Sequence, residues 1–171
     1  MNKVSKVIVI LVIISLIPVV IISLPWLLIF GFSVLEPSPP APEIKYGEFP
    51  FILEYKIDEE MFVVKDVIIC EYDGVSWDEG NGKHRTWKKR LKQSGEEDVL
   101  IIKDGEQKIF CNVGSANYYM NDQKYPTEPP LTPNLYPIVG GEFHTEKEIM
   151  DKYKIKLIKW EFAEPIKNSF K

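Results

Sequence analysis

Two patterns divide the chain. From Val7 to Leu35 it reads VIVILVIISLIPVVIISLPWLLIFGFSVL, with no charged residue and no polar face. From Lys45 onward apolar and polar positions mostly alternate, the period-two signature of half-buried strands. A bilayer core takes roughly 20 apolar residues to cross, so the first pattern is long enough to span. A charge at the centre of such a helix costs about 2.5 to 3.5 kcal/mol, and this run carries none. Pro18 and Pro25 kink such a helix without preventing it, because neighbouring groups re-satisfy the freed carbonyls.

Three readings compete for the run. A cleaved secretory signal has an apolar region of roughly 7 to 15 residues, about half the length seen here, and Gly31-Phe32-Ser33 is a weak cleavage site. A lipoprotein signal places a cysteine directly after the run, whereas the first cysteine is Cys70. An uncleaved signal-anchor helix fits best, giving residues 1–35 as a cytoplasmic tip and transmembrane helix with Trp26 marking the outer interface. Residues 36–43, EPSPPAPE, hold four prolines and read as a semi-rigid, polyproline-like stalk. Residues 44–171 form the remaining domain.

In that domain Phe49–Ile57 and Met61–Tyr72 are rich in β-branched and aromatic residues and flank Asp58-Glu59-Glu60, a hairpin signal. Thr86–Lys92 alternates with Trp87, Lys89 and Leu91 on one face. Asp98–Ile102 and Gln107–Val113 flank Asp104-Gly105, a dipeptide favoured in tight turns. Asn117–Met120 is expected to be a further short strand. Pro126–Gly141 holds five prolines and two glycines, which predicts a long loop rather than a strand. Thr145 and Glu148 form a capping box for a short helix whose apolar stripe is Ile149, Met150 and Tyr153. Ile155–Phe162 closes the domain as a strand. The expected fold is mainly β: a sandwich or curled antiparallel sheet of six or seven strands with one short helix near the C-terminus.

Charge then orients the chain. Of 21 Lys and Arg only Lys3 and Lys6 precede the apolar run, and the first charge after it is Glu36. Positive charge stays inside, so the expectation is a single-pass cell-membrane protein with its N-terminus cytoplasmic and residues 36–171 outside. There 19 basic residues face all 25 acidic ones, a net charge of −6. An acidic domain repels nucleic acid, which argues against that partner.

Residues 70–90, CEYDGVSWDEGNGKHRTWKKR, concentrate the candidate chemistry. A calcium loop needs oxygen ligands at alternate positions, but Val75 and Trp77 occupy them after Asp73. Asp78, Glu79 and Asn81 read better as a hairpin tip than as a metal site. GNGK is a fragment of a phosphate loop without the rest of the motif. The basic run Lys83–Lys92 opposes the charge of its domain and is a candidate surface for an envelope protein or an anionic wall polymer, carried by Lys83, Arg85, Trp87 and Lys89. Lysines on an edge strand also discourage aggregation, and Asp73, Asp78 and Glu79 stand near enough in sequence to neutralise the run. Tyr118 and Tyr119, with Tyr125 and Tyr136, offer a second surface for a sugar or peptide.

Catalysis has little support. His84 and His144 are far apart, no metal-ligand spacing or nucleophile motif occurs, and no cofactor is expected. Cys70 and Cys111 lie in apolar strand-like runs. They read either as two buried thiols or as one disulfide, which an oxidising compartment permits. A non-enzymatic binding or structural module is expected, with an envelope hydrolase or redox protein as the alternative.

GEFPFILEYKID, CEYDG with DEGNGKHRTWK, NYYMND and YKIKLIKWEFAEPIKNSF together resemble a set of small proteins of Gram-positive bacteria. These carry a membrane or lipoprotein signal before a domain of this size and have no assigned activity. The resemblance spans most of residues 44–171. It implies envelope location and no functional residue.

Overall fold

The structure, a computed structural model, describes residues 3–105, 107–122, 134–138 and 145–171. Seven strands are seen among these: β1 (Tyr46–Ile57), β2 (Glu60–Asp78), β3 (Gly82–Leu91), β4 (Val99–Asp104), β5 (Gln107–Asn112), β6 (Asn134–Ile138) and β7 (Ile155–Phe162). Three helices accompany them: α1 (Lys3–Leu35), α2 (Ala116–Tyr119) and α3 (Glu146–Tyr153). The fold is mainly β, with two antiparallel sheets of order β3-β2-β1-β7 and β4-β5-β6. The chain divides into two units. One holds residues up to Pro39 together with Val75–Arg85, and the other holds Pro40–Gly74 and Thr86–Lys171.

In the first unit α1 is a 33-residue helix containing Pro18 and Pro25. Its side chains are described without a break over the 17 residues Val12–Leu28. From Val12 to Ile22, three turns and therefore every face, each side chain is exposed. Among the described residues no helix is long and apolar enough to cross a membrane.

In the second unit alternation decides which side chains are buried. Phe49, Phe51, Leu53 and Tyr55 point inward along β1, and Tyr46, Glu48 and Pro50 point out. Asp58 closes the β1–β2 turn with a left-handed φ of 53°. The register pairs Tyr46 with Glu71 and Ile57 with Glu60. Strand β7 pairs on the other edge of β1, from Phe51↔Phe162 to Ile57↔Ile155, with a bulge at Glu54/Tyr55. Buried residues of both sheets (Leu53, Ile68 and Leu91 from one, Ile109, Cys111 and Leu135 from the other) join Ile149 and Ile155 in one core. The Pro42↔Phe170 bridge and the hydrogen bond from Glu43 N to Ser169 O (2.8 Å) bring the end of the proline segment into this unit.

Two expectations need correction. Asn117–Met120 is not a strand: Ser115 caps a single helical turn by accepting the Tyr118 N–H, and Gly114 (φ 98°) turns the chain just before it. Within Pro126–Gly141, expected to be loop throughout, Asn134–Ile138 is a strand paired with β5. It is tolerated because β6 is an edge, where the missing N–H of Pro137 costs no ladder bond. The rest of that segment, like Tyr125, lies outside the described residues. The capping box is present as expected: Thr145 Oγ1 accepts the Glu148 N–H, and Glu148 accepts the Thr145 N–H at 2.9 Å.

Candidate functional site

The most chemically loaded place in the second unit is built around Asp98. This residue ends the loop just before β4 and is 5 % exposed. Its Oδ1 accepts from Lys89 Nζ at 2.6 Å and from Val113 N at 3.2 Å, and its Oδ2 accepts from Tyr136 O–H at 2.7 Å. Lys89 Nζ also donates to Gly114 O at 2.8 Å, and its side chain is only 11 % exposed. Inward alternation of β3 put Lys89 there, between Trp87 and Leu91, so the chain buries a cation and answers it with one carboxylate. Beside it, Trp87 Nε1 donates to buried Asp122 at 3.0 Å, and the Trp87 ring meets Tyr72 edge-on at 5.4 Å. Tyr119 donates to Val113 O at 2.7 Å.

This cluster links strands of both sheets through groups that hold one another. Burial, then the hydrogen bond to Asp98, pushes the Tyr136 hydroxyl well above the ordinary phenol range. Burial does the same to Tyr119. Both therefore act as fixed neutral donors, not as acids or nucleophiles. Removing one partner of a buried pair of this kind costs far more than the intact pair adds in net stability.

The candidate partner surface is not one face. Lys83 and Arg85 belong to the first unit, and Trp87, Lys89, Tyr118 and Tyr119 to the second. Tyr119 is fully buried with its ring tilted 33° against Phe49 at 4.8 Å, so it presents nothing to a ligand. Tyr118 is half-buried against Tyr119 and Phe162. Lys89 is corrected from surface residue to core residue, because its strand face turns inward. On the outward face the basic run meets acids of the neighbouring strands: Lys88–Asp73, Arg90–Glu71 at 3.1 Å and Lys92–Glu48 at 2.9 Å. Much of its charge is thus answered locally.

The hairpin tip is held by Asp78. Its Oδ1 accepts Gly80 N (2.9 Å) and Asn81 N (2.7 Å), and its Oδ2 accepts Asn81 Nδ2 (3.0 Å). The Asn81 side-chain amide and these backbone donors keep its carboxyl below the ordinary aspartate range. That geometry is a turn, with Gly82 at φ 64°. Among the described residues no group of three or more His, Cys, Asp or Glu is placed to hold a metal ion.

Cys70 and Cys111 are free and fully buried, so the disulfide reading gives way to two thiols. Burial pushes each up to about 12, which leaves essentially no thiolate at neutral pH and a poor nucleophile. The Lys89–Asp98 cluster was missed in the sequence because its members come from β3, the loop after it, and β6. The one local signal was a lysine sharing a strand face with Trp87 and Leu91. No protein-family model, curated protein or solved structure matches the chain.

Proposed function

We propose that this chain is a membrane-tethered β module whose domain works outside the cell membrane in a non-enzymatic binding or structural role at the envelope. One observation carries the reading: α1 exposes large apolar side chains on every face, Ile14 at 57 %, Ile17 at 51 % and Ile22 at 69 % among them. Removing a residue of this size from water is worth about 1.5 to 3 kcal/mol, so a helix of such residues is stable only where something apolar surrounds it. A bilayer supplies that around a run with no charge from Val7 to Leu35. Charge flanking the run supports an N-terminus inside and the domain outside.

The shared core supports reading the two sheets as a sandwich. An envelope protein or wall polymer is the partner class, with the outward part of Tyr118 as the remaining candidate contact. The resemblance of the sequence to small anchored proteins of Gram-positive bacteria fits this reading. The test is expression of the full chain in a Gram-positive host, alkaline carbonate extraction, and protease treatment of intact cells. The expected result is a carbonate-resistant protein whose domain is cleaved from outside. Release by carbonate would remove the tether, and protection from external protease would reverse the topology.

A further inference from the structure

In the first unit the β2–β3 tip is fastened to the end of α1. Lys83 N donates to Glu36 Oε2 at 2.9 Å, and Lys83 Nζ donates to Glu36 O at 2.6 Å and Val34 O at 3.5 Å. A lysine that donates to carbonyls at a helix C-terminus satisfies groups the helix leaves open and complements the dipole. The approach is close enough to require glycine next door. A Cβ on Gly82 would collide with the Glu36 carboxylate, and its φ of 64° disfavours any other residue. The glycine of GNGK thus serves contact with the helix end, not a phosphate.

We propose that this tip, Val75–Arg85, is a second membrane contact that lies among lipid phosphates beside the exit of α1. The inference rests on the reading of α1 as a membrane span. If the apolar run ends at Leu35, then Glu36 marks the level where hydrocarbon gives way to headgroups, and the tip is hydrogen-bonded to that residue. The headgroup layer on each side of a bilayer is thick enough to take in a turn of chain: about 40–45 Å overall against about 30 Å of hydrocarbon. The tip's chemistry suits that layer. Val75 is 41 % exposed, Trp77 is half-buried, and Lys83, His84 and Arg85, also half-buried, open β3 directly after the turn. Tryptophan and the basic residues are the side chains that settle at this depth. Of the acids at the tip, Asp78 turns its carboxylate to the loop's own amides while its side chain stays 45 % exposed, and Glu79 is exposed.

The test is nitroxide depth measurement on the full chain in phosphatidylcholine–phosphatidylglycerol vesicles. Cys70 and Cys111 are buried and un-ionised, so a label goes to an introduced thiol. One protein carries the label at Glu79→Cys on the tip, a second at Ile21→Cys in α1, and collision rates with oxygen and with a water-soluble nickel chelate are read by power saturation. The expected result is an Ile21 label at hydrocarbon depth and a Glu79 label with several-fold less nickel collision than a free aqueous nitroxide. An Ile21 label in hydrocarbon with a Glu79 label as open to nickel as the free probe would overturn the tip contact and leave the span standing. Free nickel access at both positions would remove the span and the tip contact together.

Discussion

The middle of α1 and the strand β1 are both rich in large apolar side chains, and they meet opposite fates. From Val12 to Ile22 every side chain is exposed, whereas Phe49, Phe51, Leu53 and Tyr55 are each at most 5 % exposed. The difference lies in spacing. Alternation gives a strand one apolar face, which a small domain can cover. An unbroken run on a helix gives an apolar surface all round, which no single packed face can cover. A protein-made interior then tolerates a charge only if it brings the opposite one, as Lys89 does with Asp98. A lipid interior offers no such partner.

The comparison is broken most strongly at that pair. Lys89→Met leaves a buried carboxylate without its cation, and should cost about 3 to 5 kcal/mol in urea unfolding. Adding Asp98→Asn should restore much of the loss, since Val113 can still donate to the amide oxygen and the Tyr136 hydroxyl can turn to accept from the amide nitrogen. A loss that the second change does not reduce would place the effect in the Lys89 Nζ–Gly114 O hydrogen bond, not in the ion pair. The converse experiment puts a charge in the helix. Ile21→Lys should cost about 2.5 to 3.5 kcal/mol of insertion and move protein out of the carbonate-resistant fraction, without moving the unfolding midpoint of the β domain. An unchanged membrane fraction would mean that residue 21 lies outside hydrocarbon. The smallest effect is local. Thr145→Ala removes the side-chain half of the α3 capping box and should cost about 1 kcal/mol in the same unfolding measurement, with membrane fraction unchanged.

What was legible in the sequence was local. Asp58-Glu59-Glu60, Asp104-Gly105 and the Asp78–Gly82 tip announce their turns because the residues that bend the chain are the ones in the bend. The capping box is legible for the same reason. The Tyr118-Tyr119 segment misled because tyrosine favours strands, and a serine cap three residues ahead of Tyr118 prevailed over that preference. Strand β6 was hidden by its prolines, since only sheet order reveals that it sits at an edge. The basic run looked like a site because its answering acids, Glu48, Glu71 and Asp98, are supplied by other strands and by the loop after β3.

The clasp at the start of the folded unit has a mechanical consequence. Pro42 bridges Phe170, and Ile44 exchanges hydrogen bonds of 2.9 Å with the Asn168 side chain in both directions. Strand β1, which follows, lies between β2 and β7. A pull on the chain ahead of Pro42 would therefore first load the clasp with the C-terminal residues. Only after it opens would force reach β1, drawing that strand lengthwise against two neighbours at once. Ladders loaded that way share the force among many bonds instead of opening one by one. Pulled from that end, the unit would yield in two steps, a small early release at residues 168–170 and a much later rupture at β1.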